Sequence, residues 1–372
     1  MLVTRIIIAH YYSPGSAATN RIIAYAKGFT EIGVRVLLVL GSSNKEQKPI
    51  LPGVDIVSVC SKHTELSRKM AQVIERHYQK SNTAVLVYGT PVFTLYCSKR
   101  KYNIFYECTE VPLYGKAGSL AQRLKEKIKI TLAKRATGML VISKALQDYF
   151  SKKGIKDICV VNMFVDGDRF KVIPVEGTSG KYIAYCGTIS SHKDGVDDLI
   201  KAFSIFSRQH EDYHLMLIGR FENKESEAYL KQLVSNFGLT AKVDFVGMVP
   251  SSKMPALLCG ARMLALARPD NEQAKYGFPT KLGEYLATGK PVVVTDVGEI
   301  GLFLKDLYHC RLAQPDNPSD FAEKMEWIET HYSEAQEIGK RGKELTEEAF
   351  SSKWQCEVAL EFMNNTINKN SL

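Results

Sequence analysis

Short apolar runs alternate with longer amphipathic ones along almost the whole chain. Residues 5–9, 34–40, 54–59, 84–88, 104–107, 139–142 and 158–161 read as strands. Between them, 20–32, 65–79, 92–100, 119–135 and 144–152 carry helical spacing. Strands that are apolar at every position, rather than at every second one, predict a parallel sheet covered by helices on both faces. Residues 162–180, with Gly167, Pro174, Gly177 and Gly180, show no period and read as a linker. A second series follows, with strands at 182–186, 214–218, 243–246, 263–266, 292–294 and 308–312 and helices at 196–209, 225–237, 253–259 and 279–288. From about residue 318 the chain is helical, and a last segment, 351–365, sets Trp354, Val358 and Phe362 on one face that needs a partner. The predicted fold class is α/β: two doubly wound, parallel-sheet, Rossmann-like domains facing a cleft, over 1–165 and 181–350, joined by a linker at 166–180 and followed by a terminal helix at 351–372.

Ligands of open parallel sheets bind outside the carboxyl ends of the strands, so the loops that follow strands are where chemistry is expected. One stretch, 267–300, stands out. Leu282, Tyr285 and Leu286 recur at helical spacing, Pro279 suits a first turn, and Gly289 ends the helix before the apolar run 292–294. The loop Tyr276-Gly277-Phe278-Pro279 therefore leads into a helix start, whose unpaired N–H groups and partial positive charge suit a phosphate. Lys281 and Glu284 lie in the first turns of that helix. On an arbitrary helix they would be a solvated cation and a carboxylate placed well against the dipole.

At 372 residues the chain is long enough for two full cores. Its 45% hydrophobic and 24% charged content is that of a globular protein, and no apolar run nears the roughly 18 to 20 residues that span a bilayer. The apolar segment 6–9 is broken by His10-Tyr-Tyr-Ser-Pro-Gly15 before a signal-peptide core forms, so a cytoplasmic location is expected. Eight cysteines are spread singly, without C-x-x-C pairs or His clusters, which predicts reduced thiols and no metal site. Charge is uneven: residues 1–175 hold 27 Lys and Arg against 12 Asp and Glu, a net +15, whereas 176–372 hold 22 against 28, a net −6. Such a basic first half attracts nucleic acid, an anionic membrane surface or a polyanionic substrate. Within it, residues 116–135 place Leu120, Leu124, Ile128 and Leu132 on one stripe among several lysines. That stripe reads as ordinary helix packing or as an adsorbing face for an anionic leaflet.

At Cys186-Gly-Thr-Ile-Ser-Ser-His-Lys-Asp-Gly195 the chain resembles the retaining nucleotide-sugar glycosyltransferases of family 4, also called group 1, with the GT-B fold. The resemblance extends over nearly the whole chain. His10-Tyr-Tyr-Ser-Pro-Gly15 with Arg21, Val141-Ile-Ser143, Asn162-Met-Phe-Val-Asp166 with Phe170, Val246-Gly247, and Gly289-Lys-Pro-Val-Val-Val-Thr-Asp296 with Gly298 look like successive signatures of that family. It implies Lys193 on the donor diphosphate, Glu284 on the donor ribose as the second glutamate of an E-x7-E motif, and Gly15 against the phosphates. Backbone at Gly277, Phe278 and Pro279 would face the donor, and the final helix would cross back onto the first domain. Two positions depart from the pattern: Thr188 stands where an arginine is usual, and Tyr276 where the first glutamate belongs. Lys281 or Arg268 is a candidate to replace the missing cation, and Glu272 the missing carboxylate.

The activity so implied is hexosyl transfer from a nucleotide-diphosphate sugar to a carbohydrate or lipid-linked acceptor with retention, as in surface polysaccharide biosynthesis. No cofactor or metal is expected, since cations and amides serve the leaving phosphate. On the acceptor side His10, Arg21 and Glu110 are the candidates, with a structural role for His10 and a solvated one for Glu110 kept open. The partners expected are the donor, the acceptor and an anionic membrane surface touched by the 116–135 helix, without nucleic acid, because the charge follows no nucleic-acid motif. Two other readings compete: a nucleotide-sugar epimerase of the same fold, and a noncatalytic protein that binds anions or nucleic acid through the basic half.

Overall fold

The computed structural model describes residues 2–44, 48–88, 102–111, 120–171 and 181–370. They divide into two compact units, one of residues 1–166 and 350–372 and one of 167–349. In the first unit the strands are β1 (Arg5–Tyr11), β2 (Arg35–Ser42), β3 (Val54–Cys60), β4 (Thr83–Tyr88), β5 (Ile104–Cys108), β6 (Gly138–Val141) and β7 (Ile158–Val160). Its helices are α1 (Ala17–Glu31), α2 (His63–His77), α3 (Leu120–Ala133) and α4 (Lys144–Lys152). All pairings are parallel, in the order β3-β2-β1-β4-β5-β6-β7. Helix expected at 92–100 lies outside the described residues.

The second unit holds β8 (Lys181–Cys186), β9 (Tyr213–Ile218), β10 (Val243–Gly247), β11 (Met263–Leu266), β12 (Val292–Thr295) and β13 (Arg311–Ala313). Its helices are α5 (Ser191–Asp194), α6 (Val196–Phe206), α7 (Lys224–Asn236), α8 (Met254–Gly260), α9 (Glu272–Tyr276), α10 (Thr280–Ala287), α11 (Ile300–Phe303), α12 (Pro318–Thr330) and α13 (Tyr332–Glu347). The sheet is again parallel, ordered β10-β9-β8-β11-β12-β13. Each order runs outward from its first strand, returns, and runs outward the other way. The turning point lies between β1 and β4 in one unit and between β8 and β11 in the other, where crossover helices leave to opposite faces and open a crevice at the strand ends.

Two expectations change. The stretch from residue 166 is not structureless throughout: Gly167–Phe170 forms a 3-10 turn, and Phe170 is buried in the second unit, its carbonyl accepting from Cys259 Sγ at 3.8 Å. The last helix, α14 (Ser352–Lys369), belongs to the first unit and turns the expected face inward only in part: Phe362 packs against the core, edge-on to Phe105 at 5.9 Å, whereas Trp354 does not. Trp354 is 53% exposed, and Cys356, Ala359, Met363 and Ile367 are buried instead. The reason is size. A Cβ on Gly28 of α1 would lie 2.6 Å from Ser352 O and 2.7 Å from Cys356 Sγ, so the helices approach along their small residues and Trp354 is left at the rim. Each large side chain so buried, such as Met363 or Phe29, stabilises by about 1.5–3 kcal/mol.

Candidate functional site

The strand ends at the second unit's turning point are built from glycine loops and a buried charge cluster. Beyond β8 the chain turns at Gly187, whose φ of 157° lies in glycine's territory and whose added Cβ would sit 2.1 Å from Lys281 Nζ. Gly219, beyond β9, packs its Cα against Gly187 O, where a Cβ would come within 1.8 Å. These two glycines let the loops interlock and lay bare backbone beside the lysine. Gly187 N donates to Ile218 O at 2.9 Å, and Gly219 N to Gly247 O at 2.9 Å, so the loops continue the sheet's own ladder.

Under this rim lies Asp194, the last residue of α5, with a side chain only 2% exposed. Its Oδ2 accepts from Lys281 Nζ at 2.5 Å and lies 2.8 Å from Tyr185 Oη, which is itself 2.6 Å from Thr188 O. Burial pushes the Asp194 carboxyl upward, but Lys281, and Arg268 further off, outweigh it and hold the group below the usual carboxylate range. One buried carboxylate thus meets the Lys281 ammonium directly and feels the Arg268 guanidinium from further off. Arg268 is buried on the segment after β11, where its carbonyl accepts from Thr295 Oγ1 at 2.7 Å. Lys193, one residue before Asp194, is half-buried on α5, whose start is capped by the buried Ser190; Lys193 N donates to Ser190 Oγ, which donates to Glu222 at 2.6 Å.

The predicted loop at 268–278 contains a helix, α9, too short for any apolar period, capped by Asn271 Oδ1 accepting from Ala274 N at 2.9 Å. Tyr276 ends it, half-buried, and Gly277 continues in extended backbone with φ −99°. Phe278 is buried with its ring edge-on to Phe303, and Pro279 is buried as the N-cap of α10. Among the described residues no side chain caps that helix start, in contrast to α1, α4 and α7, capped by Ser16, Ser143 and Asn223. Helix α10 is fixed to β8 by Tyr285, whose Oη accepts from Cys186 N at 2.7 Å. On its outer side Glu284 Oε1 accepts from Arg169 Nη1 at 2.6 Å. The structure therefore brings Thr188, Lys193, Arg268, Tyr276, Gly277, Phe278, Pro279, Lys281 and Glu284 onto one set of strand ends and the loops that follow them. Sequence reasoning missed Asp194, which reads as a solvated acid beside Gly195, and Arg169, which sits in the expected linker.

In the first unit the corresponding ends look different. His10, at the end of β1, is 6% exposed; its Nε2 lies 3.1 Å from Thr19 Oγ1, its ring meets Tyr88 edge-on at 5.5 Å, and its Nδ1 has no hydrogen-bond partner among the described residues. Burial lowers its pKa to about 4, so the imidazole is neutral at pH 7. Gly15 is exposed with φ 74°, just before the cap of α1. Glu110 is exposed, its carbonyl accepting from Cys108 Sγ at 3.1 Å. Arg21 requires a correction: it is 2% exposed and does not present a charge to a ligand. Its Nε donates to Glu107 Oε1 at 2.7 Å, and its terminal nitrogens to Asn162 O and Val161 O at 3.0 Å each. Glu107 is fully buried and its Oε1 also accepts from Tyr25 Oη at 2.8 Å; the forked guanidinium lets Arg21 pair with it while bonding two carbonyls of the adjoining segment.

On the basic helix α3, Leu132 is buried, but Leu124 and Ile128 are 59% and 49% exposed, so the stripe is not consumed by packing. Among the described residues no helix is long and apolar enough to cross a membrane.

Two parallel-sheet Rossmann-like units, each with its crevice at a strand-order reversal, constitute the GT-B fold. Residues 168–345, nearly all of the second unit, match the family model described as glycosyl transferases group 1. Similar solved structures include Anabaena HepE in complex with UDP and glucose (TM-score 0.75, 16% identity, 97% of this chain and 100% of that one). Sucrose-phosphate synthase of Thermosynechococcus elongatus is also similar (TM-score 0.74, 15% identity, 98% and 100%). By sequence the chain is similar to mannosylfructose-phosphate synthase of Agrobacterium fabrum, 28% identical over 208 residues, and spans 43% of that protein's length.

Proposed function

We propose that the protein is a retaining glycosyltransferase that takes a hexosyl group from a nucleoside-diphosphate sugar and places it on a hydroxyl of a carbohydrate or lipid-linked acceptor. The observation that carries this reading is the gathering of Lys281, Arg268, Asp194 and Lys193 beside the start of α10, at the turning point of the unit that matches the glycosyl transferases group 1 family. In the reaction the bond from the anomeric carbon to the diphosphate oxygen breaks while a bond to the acceptor oxygen forms on the same face. The acceptor proton leaves with the diphosphate. Negative charge grows on the leaving oxygens, and each preorganised cation or amide there is worth about 3 kcal/mol of transition-state stabilisation. Lys193 and the Gly277 to Lys281 segment are suited to that task, and Glu284 to accepting hydrogen bonds from the ribose.

An acceptor anchored in a bilayer accords with α3, where Leu124 and Ile128 are exposed beside Lys127, with Lys134 and Arg135 just past its end, each cation adding about 1 kcal/mol near an anionic leaflet. We therefore place the protein in the cytoplasm, peripheral at the inner face, in surface polysaccharide synthesis. The test is thermal shift against a panel of nucleotides and nucleotide sugars. A ligand that binds only the folded state, at about 100 times its dissociation constant, stabilises it by about 2.7 kcal/mol. Diphosphate release that requires an acceptor then confirms transfer. A protein unmoved by every nucleoside diphosphate, or one that isomerises the donor sugar without acceptor, contradicts the proposal.

A further inference from the structure

Glu284 lies at the rim of the second unit's strand ends with its side chain 16% exposed, and the guanidinium that meets it comes from an unexpected place. Arg169 sits in the 3-10 turn Gly167–Phe170, more than a hundred residues earlier in the chain. That turn is anchored by the buried Phe170, which the Arg169 guanidinium carbon overlies at 5.5 Å from the ring centroid. The carboxylate's own helix is anchored just as firmly, because Tyr285 Oη binds both Cys186 N at 2.7 Å and Cys186 O at 3.3 Å. Two fixed elements thus present one charge-assisted bond of 2.6 Å, with the guanidinium 22% exposed. A carboxylate that must take hydrogen bonds from two neighbouring ribose hydroxyls has to keep one torsion and stay ionised. A glutamate alone on a helix surface rotates freely about three bonds. A guanidinium held on one of its oxygens by a second fixed element limits that rotation.

We infer that Arg169 is a positioning residue that aims Glu284 at the ribose of the donor, making the 3-10 turn after residue 166 part of the nucleotide-recognition machinery. This rests on the donor reading of the same site. The experiment measures dissociation constants by calorimetry for matched pairs, UDP with 2′-deoxy-UDP, ADP with 2′-deoxy-ADP and GDP with 2′-deoxy-GDP, on the full chain and on Glu284→Gln, Arg169→Gln and Arg169→Lys. The unaltered protein should favour the ribose form of its best pair by about tenfold or more, as a lost hydrogen bond to a charged group requires. Glu284→Gln should abolish that preference and Arg169→Gln should lower it to within about threefold of unity. Arg169→Lys should recover part of it. Circular dichroism and thermal unfolding check that each variant is folded, and a purely structural role for Arg169 would not change the ribose-to-deoxyribose ratio. If Glu284→Gln abolishes the preference while Arg169→Gln keeps it, or if Arg169→Gln weakens both members of a pair equally, the inference is overturned while the donor reading stands. If no pair binds the unaltered protein, both fall together.

Discussion

The two units share one sheet order about their turning points yet fill those points with opposite chemistry. Beyond β8 and β11, a buried aspartate meets Lys281 and, from further off, Arg268, and Lys193 stands half-buried beside them. Among the described residues near the ends of β1, β4 and β5, Arg21 of α1 is sunk onto Glu107 and two carbonyls, and His10 is neutral. Net charge along the sequence does not mark the site: the half with net +15 holds the buried Arg21–Glu107 pair, and the half with net −6 holds Lys193, Lys281 and Arg268. Net charge describes long-range attraction to a surface, whereas an anion site needs a few cations held where burial and neighbours leave them in excess.

Breaking the Arg21–Glu107 pair should have the largest effect. Arg21→Met leaves a fully buried carboxylate unpaired and should cost about 3–5 kcal/mol in chemical denaturation. Nucleotide affinity of the folded protein should be unchanged, and a parallel loss of affinity would join two centres that are kept distinct here. Next comes acid. Because the folded protein holds the His10 pKa at about 4 and the unfolded chain near 6.5, the unfolded chain takes up the proton first. Stability is therefore full above about pH 6.5 and falls as the pH drops toward 4, by up to about 3 kcal/mol from this residue. His10→Gln should flatten that part of the pH profile, and an unaltered slope would remove the assignment.

Gly187→Ala should cost about 1–3 kcal/mol through strained backbone and displacement of Lys281, and should also weaken nucleotide binding, as titrated by calorimetry. A variant that binds normally would show that the interlocked glycines serve packing alone. The smallest expected change in stability is that of Lys193→Ala. It should shift unfolding by less than about 1 kcal/mol while weakening a nucleoside diphosphate about tenfold. Equal binding would take Lys193 out of the site.

The sheets were legible because parallel strands buried on both faces are apolar at every position, as in 36–40 or 292–294. The turning points then followed from strand order, and with them the loops that carry the site. Helices of four or five residues were not legible: α5 and α9 are shorter than two turns, so no period exists to read. Asp194 was missed because nothing adjacent in sequence marks it as buried; its partners are nine and eighty-seven residues away. Arg21 was placed on the acceptor side because its motif lies near the first loop, but its carboxylate partner is eighty-six residues on. In α14 the bulky stripe drew attention, while the packing face was set by Gly28 on another helix.

The most direct test of the account is hydrogen exchange followed by mass spectrometry, with and without a saturating nucleoside diphosphate from the panel. Exchange is predicted to slow at residues 187–195 and 271–284, around Lys193, Asp194, Lys281 and Glu284, with the Arg21–Glu107 core unaffected. Protection confined to residues 10–31 of the first unit, with none at those two segments, would contradict the placement of the anion site at the strand ends of the second.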